Sequence, residues 1–253
     1  KAFRTTKEIE DPSEEFHMDL KKISLTNVDI SKLNEENDIL VDSYISDGTL
    51  RFKTSNDHLM ISVDAEFLLN ALNNGDSTYI KNKHFSLFTS LDFDKITHIV
   101  KFEPSEITME GALFGMTGDV DIDDDLLLDL EFHGNKPNFD LFIAFAPEEL
   151  IPTLRRYENE GKVYFDATVK GHAANGKSPE IDAKFGCENA YFSNHFNHTK
   201  LDELQFKGHF FAESINDLST MEFSITDIAA KPEAGIFKGN VEVKNFAAPE
   251  IEM

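Results

Sequence analysis

The stretch that decides the fold reads G-K-V-Y-F-D-A-T-V-K-G from Gly161 to Gly171, and P-E-I-D-A-K-F-G-C-E-N-A-Y from Pro179 to Tyr191. Apolar residues occupy every second position on both sides of a polar turn. This period of two is that of strands with one buried and one wetted face. The turn contains Asn175-Gly176, a pair that readily adopts the positive φ angles of a tight reversal. The stretch therefore predicts an antiparallel β-hairpin.

The same alternation recurs along the rest of the chain and predicts a meander of short strands. We interpret residues 1–15 as a flexible lead-in and residues 16–253 as a single domain of this repeating pattern. Ser46-Asp47-Gly48 has the composition of a hairpin turn between two strands. Further along, separate strands are expected at Ile96–Phe102, Ile107–Leu113 and Met116–Ile122.

One segment, at about 138–157, departs from the period of two. Its apolar residues fall at the spacing of one helix face. They are Phe139, Phe142, Ile143, Ala146, Leu150, Ile151 and Leu154. Pro147 divides the segment, so two short helices are expected at about 138–146 and 147–157. Because their apolar side needs a partner, we expect this pair to lie on the apolar face of the sheet and to plug part of it.

The composition excludes several classes of partner. The chain has 253 residues and a formal net charge of −23, with 47 acidic and 24 basic residues. Nucleic acid requires compensating Lys and Arg, and anionic lipid headgroups also attract basic residues. The longest purely apolar run, F-I-A-F-A at 142–146, is too short to span a bilayer. We therefore expect no nucleic-acid partner, and we expect any membrane anchor to lie in a part of the full protein that precedes this chain.

Two groups of residues invite a metal-site interpretation. Aspartates occupy positions 119, 121, 123, 124 and 125, but the spacing lacks the glycine and the bidentate glutamate of an EF-hand. A wetted strand face that runs into an acidic turn accounts for them better. His195 and His198 have no recognisable third or fourth ligand. The sequence also lacks a nucleophile with a partner base, so we predict no catalytic, metal-binding or cofactor-binding residues and no enzymatic activity.

The rows of inward-facing apolar residues have two interpretations, and the pattern favours neither. They form either a sealed core or the lining of a groove that stays open to an apolar ligand. The candidate lining residues of such a groove are Val163, Phe165, Val169, Ile181, Phe185, Phe223, Val241 and Val243.

Several segments resemble the C-terminal region of AsmA-like proteins of the Bacteroidota type. They are L-K-K-I-S-L-T-N-V-D-I at 20–30, E-G-A-L-F-G-M-T-G-D-V-D-I-D-D-D-L-L-L-D-L-E-F at 110–132, F-D-L-F-I-A-F-A-P-E-E-L at 139–150, E-G-K-V-Y-F-D-A-T-V-K-G at 160–171 and G-N-V-E-V-K-N-F-A-A-P-E-I at 239–251. The resemblance covers most of residues 16–253. It implies a mainly β fold, in which a long, curved and twisted antiparallel sheet forms a groove, with the helical pair on its apolar face.

The resemblance also implies a function and a location. Related AsmA-like, TamB-like and chorein-type proteins are anchored in the inner membrane of Gram-negative bacteria or lie between membranes, and they conduct phospholipids or assist outer-membrane assembly. We therefore expect a periplasmic piece of a longer anchored protein, with phospholipid acyl chains or envelope proteins as partners. The alternative is a structural, protein-binding β module of the cell envelope that binds no lipid itself.

Overall fold

The protein is described here by a computed structural model that covers residues 19–34, 39–74, 77–136, 139–145, 151–194, 199–232 and 235–253. The fold is mainly β. The first seven strands are β1 (Asp19–Asn34), β2 (Ile39–Thr54), β3 (His58–Asn74), β4 (Ser77–Asp94), β5 (Ile99–Met109), β6 (Ala112–Asp121) and β7 (Leu127–Lys136). The remaining six are β8 (Glu158–His172), β9 (Glu180–Asn194), β10 (Thr199–Ala212), β11 (Met221–Pro232), β12 (Phe237–Lys244) and β13 (Glu250–Glu252). Two short α-helices, α1 (Asp140–Phe145) and α2 (Ile151–Leu154), separate β7 from β8.

The thirteen strands form one antiparallel sheet in which spatial order follows sequence order. Each strand pairs with the strand that precedes it and the strand that follows it, so β1 and β13 are the two edges. The predicted meander is therefore confirmed. This topology brings residues of the same face from all strands into continuous rows that cross the sheet.

The predicted central hairpin is confirmed, since β8 and β9 pair antiparallel. Phe165 of β8 lies directly opposite Phe185 of β9. The Lys177 backbone N–H donates to the Ala174 carbonyl at 3.0 Å, which closes the turn. Asn175 and Gly176 between them have φ angles of 56° and 74°, as the sequence predicted for this pair.

The predicted turn at Ser46-Asp47-Gly48 is wrong, because β2 runs through these residues without a reversal. Gly48 pairs with Leu25 on one side and with Ala65 on the other. The register between β2 and β3 shifts beside Ser46, whose hydroxyl donates to the Glu66 carbonyl at 3.0 Å. The polar triplet therefore marks a β-bulge within a long strand.

The predicted division into strands at Ile96–Phe102, Ile107–Leu113 and Met116–Ile122 is also wrong. The structure has two strands there, β5 and β6, and the turn between them is at Glu110-Gly111. Both turn residues have positive φ angles, 51° and 91°. The Glu110 backbone N–H donates to the His84 carbonyl at 3.0 Å, and its carboxylate accepts the His84 N–H at 2.8 Å. These two bonds to β4 hold the turn at this point.

Four strands share a break in the alternation that keeps their apolar residues on one face. Each has two polar residues between two apolar ones, at Leu25–Val28, Cys187–Ala190, Leu201–Leu204 and Ile225–Ile228. The third residue of each quartet has a φ angle between 50° and 54°. In β9, β10 and β11 the register shifts at this point. Each quartet is therefore a bulge that resets the alternation, so that Ala190 is buried like Cys187 before it.

The helical segment forms where the sequence predicts it, with α1 beginning at Asp140 and α2 ending at Leu154. α1 buries Leu141 and Ala144 completely and Phe139 and Ile143 almost completely. Phe139, Leu141 and Ala144 belong to the main core cluster with Val163 and other residues of the sheet. α1 therefore packs on the apolar face, as predicted. Leu150 lies outside the described residues.

Candidate functional site

The sheet carries an unbroken apolar row that crosses ten strands. Consecutive members of this row are direct cross-strand partners from β2 to β11, so they lie on one face of the sheet. The members are Phe52, Ile61, Leu91, Phe102, Gly118, Leu130, Val169, Ile181, Ala212 and Met221. We call this set the long row and the side of the sheet that bears it the apolar face.

Parallel rows on both sides extend the apolar face over the central strands. Nearer the β6–β7 loop lies the row Phe93, Val100, Val120, Leu128 and Gly171. Nearer α1 lie the rows Met116, Phe132, Ala167, Ala183 and Phe210, and Gly134, Phe165, Phe185 and Gly208. None of these rows contains a charged side chain.

Two hydroxyl groups, of Thr89 and Ser105, interrupt the apolar face between β4 and β5. Both side chains are buried, and their oxygen atoms lie 2.6 Å apart. The Ser105 hydroxyl donates to the Glu103 carbonyl at 2.5 Å and can accept from Thr89. Because both hydroxyl protons are used within the protein, the pair offers no free donor to a molecule on the face.

Among the described residues, α1 covers one end of the apolar face. The core cluster beneath α1 contains the most deeply buried apolar side chains, including Leu141, Val163 and Cys187. Away from α1, the larger residues of the long row, such as Leu91, Leu130 and Ile181, are only half-buried. Within the part of the chain that the structure describes, α1 packs against β6, β7 and β8. The open part therefore exposes apolar surface over many strands.

Specific contacts fix α1 in its place. Gly134 of β7 leaves the space that Leu141 occupies, because a Cβ there would lie 2.8 Å from the Leu141 Cδ2 atom. The Phe139 backbone N–H donates to the Asn159 Oδ1 atom at 2.8 Å. The Phe139 ring also packs edge-on against Phe192, with centroids 4.4 Å apart.

On its side toward the open face, α1 presents the ring of Phe142. This ring lies 5.5 Å from the Phe185 ring and 5.9 Å from the Phe206 ring, measured between centroids. Unlike its neighbours Leu141 and Ile143, Phe142 is only half-buried. Phe142 therefore marks the boundary between the covered and the open part of the face.

The eight residues predicted to line a groove all lie on the apolar face. Cross-strand pairing joins Val163 to Cys187, Phe165 to Phe185 and Val169 to Ile181. It also joins Phe223 to Val243, and Ile225 to Val241. Val163 has no exposed surface because it lies in the core cluster at α1. The other seven are half-buried.

The opposite face of the sheet is polar and paired. Lys170 lies 2.8 Å from Asp129 and Lys207 lies 2.9 Å from Asp227, so both side chains bridge neighbouring strands. His209 contacts Asp182 at 3.1 Å. These ion pairs are exposed, and they contribute little to stability individually. The two faces therefore differ in the way that the alternation predicts.

The acidic stretch occupies the end of β6 and the loop to β7. The Asp121 carboxylate accepts the backbone N–H groups of Asp123 and Asp124 at 3.0 and 3.2 Å. Asp125 accepts hydrogen bonds from Lys177 at 2.8 Å and from Asn175 at 2.5 Å, which lower the pKa of its carboxyl group. The sequence predicted this arrangement, in which a wetted strand face runs into an acidic turn.

Two further candidate sites are the histidine pair His195 and His198 and the single cysteine, Cys187. His195 and His198 lie outside the described residues. Among the residues that are described, no group of three or more His, Cys, Asp and Glu side chains could hold a metal ion. Cys187 is buried, and desolvation raises the pKa of its thiol to about 12, so the reactive thiolate is strongly disfavoured.

Sequence reasoning missed two features of the site. It did not assign the small residues Gly118, Gly134 and Ala212 to the apolar face, although they occupy the expected positions of the period of two. It also did not identify Phe142 as a boundary, because helix spacing alone does not say where along the strands the helix lies.

Comparison with known proteins adds no relative, since no protein-family model, curated protein or solved structure matches this chain. In the described ranges, no helix combines the length and the apolar character needed to cross a bilayer.

Proposed function

We propose that this chain is a non-enzymatic protein that holds the acyl chains of phospholipids on its apolar face. The observation that carries this proposal is the long row, which stays apolar across ten strands while α1, among the described residues, covers one end of the face. A monomeric protein seldom leaves so continuous an apolar surface uncovered unless a ligand or partner uses it.

The chemistry of the face favours a hydrocarbon ligand. The central rows contain no charged group, and the two hydroxyls among them are bonded to each other. A peptide or a sugar would lose hydrogen bonds with water on this surface and would regain none. An acyl chain loses none, and each methylene that it buries contributes about 0.8 kcal/mol.

The proposed cellular setting comes from the resemblance to AsmA-like proteins. On that basis the chain belongs to the periplasmic body of a protein anchored in the inner membrane. It would take part in phospholipid transport between membranes or in outer-membrane assembly. The resembling segments form parts of the sheet and of α1, so they contribute directly to the apolar face.

Native mass spectrometry of protein purified without harsh detergent tests the proposal. We expect a population that carries phospholipid, and extraction with organic solvent should return it to the bare mass. A protein that shows only its bare mass, even after incubation with phospholipid vesicles, would contradict lipid binding.

A structural, protein-binding β module is the second candidate, and the edge strand β1 favours it. Leu20, Ile30 and Leu33 of β1 are exposed, and within the described residues β1 pairs only with β2. Such an edge can accept a further strand. Lipid-free protein that self-associates through β1, with Ile30→Lys abolishing the association, would favour this candidate over lipid binding.

A further inference from the structure

We propose that the chain has a second binding site, a cleft at the beginning of β8 that takes a neutral sugar ring. The cleft has a volume of about 440 Å³, within the range of about 300–1,000 Å³ that is usual for small-molecule sites. Its lining includes Asn135, Lys136, Glu160, Lys162, Asn189 and Tyr191. The proposal goes beyond lipid binding and does not depend on any ligand of the apolar face.

Two bulges on neighbouring strands make the sheet concave at this point. In β8 the register shifts between Glu160 and Lys162, at Gly161, which also lines the cleft. In β9 the bulge contains Asn189, which has a φ angle of 50°. A Cβ atom at Gly161 would lie 2.4 Å from the Ala190 Cβ atom, so only glycine allows the two strands to approach this closely. Because bulges bend and twist the strands that carry them, they give an otherwise even sheet a local hollow.

The cleft opens where β7 leaves the sheet. The last pair between β7 and β8 joins Lys136 to Val163, whereas β8 already begins at Glu158. Among the described strands, the beginning of β8 therefore pairs with β9 alone. Asn135 and Lys136, the last two residues of β7, border the cleft on the side that β7 has left.

Three of the lining side chains lie on the polar face of the sheet. Lys162 belongs to the same alternation as Lys170, which pairs with Asp129 on that face. Glu160 lies directly opposite Tyr191, and the Tyr191 side chain is half-buried. The cleft is therefore separated by the sheet from the apolar surface assigned to acyl chains.

The formal charges at the cleft cancel. Lys136 and Lys162 each carry one positive charge, and Glu160 carries one negative charge. The Lys162 Nζ atom lies 3.2 Å from the Glu188 carboxylate, which supplies the second negative charge. An anion or a cation would meet no net opposite charge here, so a neutral ligand is the better match.

The functional groups of the lining suit a ligand that has many hydroxyls. The amides of Asn135 and Asn189 each offer two donor protons and an acceptor oxygen, and both side chains are exposed. The Tyr191 ring can pack against the C–H groups of a sugar, and its hydroxyl can bond to a sugar hydroxyl. A pyranose ring presents C–H groups on its faces and hydroxyls around its edge. It therefore matches both kinds of group in the cleft.

Titration with methyl β-glucoside, cellobiose and N,N′-diacetylchitobiose, followed by NMR, tests the proposal. At least one of these neutral sugars should bind to the wild type. Asn189→Gly should weaken this binding by about fivefold, because it removes the amide while glycine keeps the positive φ of the bulge. Tyr191→Ala should weaken it by about tenfold or more, whereas Tyr191→Phe keeps the ring and should stay within about threefold of the wild type.

The matched control is Tyr44→Ala. Tyr44 of β2 is half-buried like Tyr191, but it lies outside the cleft and its hydroxyl donates to the Asn27 Oδ1 atom. This variant should bind the sugar like the wild type.

Several results would overturn the sugar site while leaving the lipid proposal intact. One is failure of all three sugars to bind at high millimolar concentration, and another is unchanged binding in folded Tyr191→Ala. Binding of glucuronate alone would assign the cleft to an anion, and binding of tetra-alanine alone would assign it to a peptide. Either outcome would contradict a site for neutral sugars.

Discussion

Leu141 of α1 lies directly over Gly134 of β7, where a Cβ atom would approach the Leu141 Cδ2 atom to 2.8 Å. Leu141 is completely buried, so it has little room to move away. We predict that Gly134→Ala displaces α1 and lowers the free energy of unfolding by about 1–3 kcal/mol. Urea denaturation measures this loss.

The control for this prediction is Gly239→Ala. A Cβ at Gly239 would meet only the Phe237 ring, at an ordinary contact distance of 3.6 Å. The two substitutions add the same methyl group to strands of the same sheet. Equal denaturation midpoints for the two variants would show that α1 does not sit against Gly134 as described.

The two faces of β8 give the second prediction. Phe165 packs edge-on against Phe114, with ring centroids 5.6 Å apart, whereas its neighbour Asp166 is exposed. Phe165→Asp should reduce the free energy of unfolding by about 3 kcal/mol or more, because it removes the ring and places a charge on the apolar face. Asp166→Phe should change it by only about 0.5 kcal/mol. Similar melting temperatures for the two variants would contradict the register of β8.

Much of the fold could be predicted because the period of two determines which face a residue occupies. The alternation of Val163, Phe165 and Val169 placed all three on the apolar face, and Asn175-Gly176 located the reversal. The alternation does not determine where a long strand ends. Ser46-Asp47-Gly48 has the composition of a turn, and only its pairing with β1 and β3 shows that it is a bulge.

The bulge quartets could have been recognised, since they replace a spacing of two by a spacing of three. In Cys187-Glu-Asn-Ala190 the third residue, Asn189, has a φ angle of 50°. We predict that Asn189→Val lowers the free energy of unfolding by about 1–2 kcal/mol, because a β-branched residue is strained in this conformation. Asn189→Gly should be tolerated, since glycine adopts positive φ freely. The opposite ranking in thermal denaturation would contradict the bulge.

A different part of the site could not be predicted, because it depends on contacts between distant segments. The sequence indicated that Phe142 faces something apolar, but Phe185 and Phe206 come together with it only in the folded sheet. For the same reason, the sequence could not decide between a sealed core and an open groove. It depends on how much of the face α1 covers, and the spacing of apolar residues does not contain that information.

The pair formed by His98 and Asp123 should make the stability of the folded state depend on pH. The hydrogen bond and the charge of Asp123 raise the pKa of His98 above its ordinary value of 6.5. The pair therefore stabilises the folded state fully below that ordinary value, and this contribution is lost as the pH rises through the folded-state pKa. Below pH 6.5 we expect His98→Gln to melt at a lower temperature than the wild type. At higher pH the two melting temperatures should approach each other.

Titration of the His98 imidazole by NMR provides a direct check of this sign. In the wild type its midpoint should lie above that of the Asp123→Asn variant, in which the charge is absent. A midpoint that is unchanged by Asp123→Asn would contradict the pairing.

The measurement that tests the central claim most directly is uptake of a fluorescent acyl chain by two single variants on adjacent residues of β8. Val169 belongs to the long row, and Lys170 next to it lies on the polar face, paired with Asp129. If the apolar face binds lipid, the wild type and Lys170→Asp take up the probe, while folded Val169→Asp loses most of the uptake. Failure of the wild type to take up the probe, or equal uptake by Val169→Asp and Lys170→Asp, would contradict the claim.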